Sequence, residues 1–113
     1  MKINVVKKQT VEEYAKLSNA QRSFEDWLTK IKFADWNTSK NILSTFNSAD
    51  LLGAGSSRVV FNIGGNRYRM ICKYNFGKST TCKLRVHLFV CWIGTHAAYS
   101  ELCRDNKQYS IKF

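Results

Sequence analysis

Gly64-Gly65 stands between two runs in which apolar and polar residues alternate, and that arrangement leaves the chain few options. A period of two belongs to a strand with one buried face, because successive side chains point to opposite sides of the backbone. A glycine pair accepts the positive φ that a tight reversal between two such strands demands. The stretch RVVFNIGGNRYRMICK, Arg58 to Lys73, therefore predicts a β-hairpin. In its second arm Arg67, Arg69, Ile71 and Lys73 fall on one side, and Tyr68, Met70, Cys72 and Tyr74 on the other. One face is cationic, and the other can pack in a core.

The residues before the hairpin read mainly as helices. Lys2 to Val6 alternates briefly and predicts a short strand at a sheet edge. Thr10 suits an N-cap, with Glu12 and Glu13 in the first turn where the helix dipole favours negative charge, and this helix ends near Ser18 or Asn19. From about Ala20, the residues Phe24, Trp27, Leu28 and Ile31 follow the i, i+3, i+4, i+7 spacing of one apolar stripe, which predicts a helix packed on the back of the sheet. Ile42, Leu43 and Phe46 predict one more short helix from about Thr38. Ser48 to Ser57 is rich in Ser, Gly and Ala without periodicity and reads as a loop. After the hairpin, Asn75 to Thr81 supplies a turn, and Leu84, Val86, Leu88, Val90 and Trp92 mark a further strand ending at Ile93. A short helix capped by Thr95 follows, placing His96 and Tyr99 on one side of it. The end, YSIKF, adds an edge strand or frays. Helices first and an antiparallel meander afterwards make an α+β arrangement.

A chain of 113 residues predicts one domain, 1–113, and 44% hydrophobic content is enough for a packed interior. The longest apolar run, Leu88 to Ile93, is far short of the roughly 20 residues that span a bilayer, and MKINVVKKQT lacks a secretory apolar region. A soluble, cytoplasmic protein is expected, with no membrane partner. The cysteines Cys72, Cys82, Cys91 and Cys103 form no close-spaced pair, and His87 and His96 sit at no ligand spacing to them. Free thiols and no metal or cofactor are expected. The net charge of +10 favours a polyanionic or acidic partner. Its distribution is more informative than its total. Residues 1–53 carry eight bases and six acids, whereas Ala54 to His96 carries Arg58, Arg67, Arg69, Lys73, Lys78, Lys83 and Arg85 without one acid. Cations at alternate strand positions share a surface, which predicts an anion-binding face.

VVFNIGGNRYRMI, a second strand and then GTHAAYSEL together resemble the HigB-type host-inhibition toxins of the RelE superfamily, over about residues 24–102 and including Trp27 and Ala34-Asp35-Trp36. The segment Thr80 to Arg85 is longer than the connection this resemblance leads one to expect. The resemblance implies a RelE-like fold, with N-terminal helices on one face of a twisted, mainly antiparallel sheet. It also implies an endoribonuclease that cleaves mRNA, commonly in the ribosome, and a HigA-type helix-turn-helix antitoxin that joins it in a heterotetramer.

Metal-independent RNA cleavage uses the ribose 2′-hydroxyl as nucleophile, so an enzyme must move two protons and stabilise charge on the phosphorus. Arginine meets phosphate oxygens with a planar fork that never loses its charge, which makes Arg69 the first candidate for that task, with Arg67 or Lys73 assisting. Histidine titrates near neutrality, so His96 is the candidate for proton transfer. Tyr99 is a candidate to orient the phosphate, stack on a base, or act as acid where flanking cations lower its pKa. The catalytic set is thus Arg69, His96, Tyr99 and Lys73, and the RNA-binding set is Arg67, Arg58, Asn66 and Arg85. Blander roles stand beside these. His96 after a Gly-Thr turn also suits a structural hydrogen bond, Tyr99 also suits burial at the sheet edge, and Asn62 and Asn66 also suit turn stabilisation. Two other functions fit the same cationic face: a nucleic-acid binder without catalysis, and a gyrase-inhibiting toxin of the same superfamily.

Overall fold

The computed structural model describes residues 1–53, 55–77 and 85–112. Its core is a five-stranded mixed sheet. In chain order the elements are β1 (Lys2–Val6), α1 (Lys8–Leu17), α2 (Gln21–Phe33), α3 (Ser39–Thr45), β2 (Asp50–Leu52), β3 (Arg58–Ile63), β4 (Tyr68–Phe76), β5 (Arg85–Thr95) and α4 (His96–Arg104), followed by a 3-10 turn at Lys107–Tyr109. The strand order is β1-β5-β4-β3-β2, an antiparallel meander of four strands to which β1 adds a parallel edge. The α+β class and the edge position of the first strand both follow the sequence reading.

Helices α1 to α3 cover one face of the sheet. The predicted stripe of α2 is the centre of this layer: Phe24, Trp27 and Ile31 are buried, and Leu28 packs beside them. From the sheet, Phe61, Met70, Cys72, Val86, Leu88 and Val90 meet these helices. Trp27, Phe46 and Phe61 form a mutually contacting aromatic group, with Phe61 edge-on to both at ring separations of 5.2 and 5.0 Å. Trp36, fully buried, satisfies its indole N–H by donating to Thr45 Oγ1 at 2.9 Å.

Several local expectations need correction. Helix α1 begins two residues before Thr10, because Lys7 in the left-handed region (φ 69°) turns the chain straight from β1 into the helix. Glu12 and Glu13 therefore lie beyond its first turn. Ser48 to Ser57 is not all loop, since Asp50–Leu52 pairs with Val60 to Arg58 of β3. The C-terminal segment forms a 3-10 turn and a tail rather than an edge strand. Thr38 and Thr95 do cap their helices. The Thr38 N–H donates to Asn41 Oδ1 at 2.9 Å, and the Ala98 N–H donates to Thr95 Oγ1 at 3.2 Å.

The hairpin forms as predicted. Ile63 pairs with Tyr68, and both Gly64 (φ 65°) and Gly65 (φ 68°) take the left-handed conformation that other residues resist. Of the residues that predicted the next connection, 78–84 lie outside the described ones. That covers Lys78, Lys83, Cys82, Leu84 and most of the long TTCKLR segment.

Candidate active site

The face of the sheet turned away from α1 to α3 is covered over only part of its width. There Val60, Ile71 and Cys91 form a small second core, against which Trp92, Tyr99, Leu102, Leu52 and Ile111 pack. Helix α4 leaves the end of β5 and runs back over β4 and β3, and the C-terminal tail continues that cover. The site lies where this cover starts.

A β-bulge sets the geometry. Cys72 pairs with Val90 while Ile71 pairs with Trp92, so Cys91 is an extra residue in β5. Strict alternation would have put Trp92 on the helix side with Val90. The bulge instead turns both Cys91 and Trp92 toward α4 and returns Ile93 to the large core. The indole of Trp92 then lies over Gly94, where an added Cβ would overlap the ring. Tyr99 packs against the same indole at a ring separation of 6.3 Å.

Arg69 sits beside this group. It is opposite Gly94 in the ladder, only 8% exposed, and donates to the carbonyls of Gly65 (3.4 Å) and Tyr68 (3.0 Å) and to Asn66 Oδ1 (3.4 Å). Among the described residues no carboxylate forms an ion pair with it. A buried guanidinium held by two long bonds and one ordinary bond is poorly compensated, and an incoming anion would improve its position. Its charge reaches the Tyr99 hydroxyl. His96, exposed at the first position of α4, donates its backbone N–H to the Arg67 carbonyl at 2.9 Å. Strand register and the Thr95 cap thus fix His96 two residues beyond the partner of Arg69.

Tyr99 differs from its expected electrostatics. Burial raises its hydroxyl pKa well above the ordinary tyrosine range; the hydrogen bond with Cys103 and the charges of Cys103 and Asp50 add to the rise, and Arg69 opposes it. One neighbouring cation does not outweigh desolvation. Tyr99 is therefore held in its protonated form and is not an acidified phenol.

The other predicted residues are dispersed. Asn66 stays with Arg69. Arg67 belongs to the turn and not to β4, so the alternation that grouped it with Arg69 does not apply. Its guanidinium crosses to the helix side and donates to the Asn19 carbonyl at 3.4 Å. Arg58 is 6% exposed and holds the tail, donating to the carbonyls of Gln108 (3.1 Å) and Ile111 (2.7 Å). It is a buried tether, which corrects its placement on an open RNA-binding surface. Lys73 is exposed four residues past Arg69 in β4, about 13 Å along the strand and beyond the buried Ile71. Arg85 is exposed at the opposite end of β5.

Sequence reasoning missed Asp50, Cys103 and Trp92 as neighbours of Tyr99. Asp50 lies in the strand read as loop, and Trp92 is re-aimed by the bulge. Cys103 alone carried a local signal, standing one helical turn after Tyr99. Among the described residues, no three His, Cys, Asp or Glu side chains converge as metal ligands, and no helix is long and apolar enough to cross a membrane.

No curated protein matches the chain. A protein family does, over residues 20–102, a span that takes in the whole meander, the bulge and the His96–Tyr99 turn of α4. The chain belongs to the HigB toxin family, the RelE-like toxic component of a toxin–antitoxin system, and so has an antitoxin as partner.

Proposed function

We propose that this toxin is a metal-independent endoribonuclease that cleaves mRNA, acting in the ribosome in the cytoplasm. The single observation carrying this is Arg69, buried opposite Gly94 and without a carboxylate partner among the described residues, at the end of β4 and β5 where α4 begins with His96 and carries Tyr99. In this reading the scissile phosphate displaces the long bonds of Arg69 and takes its fork bidentately. The protonated Tyr99 hydroxyl donates to a non-bridging oxygen. His96 takes the proton of the 2′-hydroxyl as that oxygen attacks phosphorus, or returns one to the departing 5′-oxygen. The products are a 2′,3′-cyclic phosphate and a free 5′-hydroxyl. The cognate antitoxin is a HigA-type helix-turn-helix protein that masks this end of the sheet in a heterotetramer.

The test is direct. Purified protein is incubated with end-labelled mRNA, with and without ribosomes, and fragment ends are mapped for the wild type, Arg69→Ala and His96→Ala. Cleavage by the wild type and its loss in both folded variants is the expected result. Folded variants that cut as fast as the wild type would remove these residues from the mechanism, and growth arrest with intact message and damaged DNA would select gyrase as the target instead.

A further inference from the structure

The half of the sheet that α4 leaves bare takes no part in the chemistry above, yet its surface is not that of an ordinary solvated face. Two registered rows cross it. Asn4, His87 and Asn75 form one, on β1, β5 and β4; Val6, Phe89 and Lys73 form the other. Phe89 is 39% exposed, and the half-buried His87 ring lies 6.2 Å from it at a tilt of 36°. Lys73 is directly across the ladder from Phe89, and Arg85 precedes His87 by one outward position. Asn4 Nδ2 is 3.3 Å from His87 Nδ1, so the ring is steadied from the edge strand. Outward positions of β1, β4 and β5 contain no Asp or Glu.

We propose that this bare half is a platform for single-stranded RNA, with Phe89 as the ring on which a base stacks. A partly exposed aromatic ring on a sheet, between cations, matches what an unpaired strand offers: bases with exposed π-faces, and phosphates within reach of lysine and arginine. Lys73 and Arg85 meet phosphates on either side of Phe89, and His87, Asn4 and Asn75 offer hydrogen bonds to base edges. A duplex buries its base faces and gains only the phosphate contacts, so the platform discriminates in favour of single strands. From Arg69 to Lys73 is about 13 Å along β4, a few nucleotides of extended strand. Ile71 between them is buried beneath Tyr99 and Leu102, so RNA held at the cleavage end reaches the platform around α4 and not along β4. This rests on the ribonuclease reading for the identity of the substrate, and it assigns Lys73 and Arg85 to holding the strand at a distance from the reacting phosphate.

Binding is measured by anisotropy with a labelled single-stranded RNA carrying 2′-O-methyl riboses, which cannot be cut, and with the same strand in a duplex. Phe89→Ala is expected to weaken single-strand binding about tenfold, and Phe89→Trp to retain it. Lys73→Ala is expected to reduce the salt slope of binding by about one. Thermal melting confirms that each variant is folded. Unchanged affinity in a folded Phe89→Ala variant overturns the platform, and so does unchanged RNA affinity with a loosened antitoxin complex, which would give this face to the protein partner. Cleavage of unmodified RNA separates the two proposals. Loss of cleavage in His96→Ala with full affinity in Phe89→Ala leaves the nuclease and removes the platform; weakened affinity in Phe89→Ala with no cleavage by the wild type keeps the platform and removes the nuclease.

Discussion

The two faces of the sheet are built from the same strands and are finished in opposite ways. Against α1 to α3 lies a broad apolar layer in which Phe24, Trp36, Phe61 and Met70 are fully enclosed. On the other side, among the described residues, Val60, Ile71 and Cys91 are buried as a small cluster, and two arginines are enclosed close by. Stability is thus concentrated on one side, which frees the other to hold cations under poor compensation. Arg58 and Arg69 show two outcomes of that freedom. The first donates to two tail carbonyls at 3.1 and 2.7 Å, while the second has one ordinary bond and two of 3.4 Å, and among the described residues neither has a carboxylate partner.

Truncating each side should separate the two roles. Phe61→Ala on the helix side should cost about 3–5 kcal/mol in urea unfolding, a large part of the roughly 5–15 kcal/mol available to a domain of this size. An equal loss on truncating Ile71 would erase the contrast between the faces. Arg69→Ala should lower the rate of RNA cleavage about a hundredfold or more and leave the unfolding midpoint close to wild type. Gly94→Ala drives a methyl into the Trp92 ring and should cost about 1–3 kcal/mol, with a change in tryptophan fluorescence reporting the displaced indole. The smallest effect concerns pH. Because the Tyr99 hydroxyl ionises later in the folded chain than in the unfolded one, its contribution is complete below the ordinary tyrosine pKa of 10.0 and declines as the pH rises above it. Tyr99→Phe should flatten the alkaline fall in stability; an unchanged slope would show that the hydroxyl is less enclosed than its neighbours imply.

What the sequence disclosed was whatever local chemistry decides. The glycine pair, the α2 stripe of Phe24, Trp27 and Ile31, and the cap Thr95 are each specified within a few residues, and each was legible, whereas the cap expected at Thr10 yielded to the turn at Lys7. Strand β2 was not, because three residues in a Ser- and Gly-rich stretch become a strand only by pairing with β3. Arg58 read as a free cation since its acceptors lie 50 and 53 residues away. Trp92 kept its place in a regular alternation until the ladder with β4 inserted the extra residue at Cys91. At the candidate site, the placing of Arg69 in β4 and of His96 and Tyr99 on α4 could be anticipated from two motifs, whereas the burial of Tyr99 depends on α4 lying over the sheet.

The parallel edge strand has a consequence for how the molecule assembles and comes apart. Asn4 meets His87 across 83 residues of chain, so docking β1 on β5 closes a very long loop at a large entropic cost. A short edge strand is also a natural place for fraying to begin. Release of β1 would strip Asn4 and Val6 from beside His87 and Phe89 while β3, β4, β5 and α4 stayed paired. Amide exchange at Lys2–Val6 should therefore outpace exchange in β4, and a partner that clasps this edge would govern the proposed platform without touching the candidate active site.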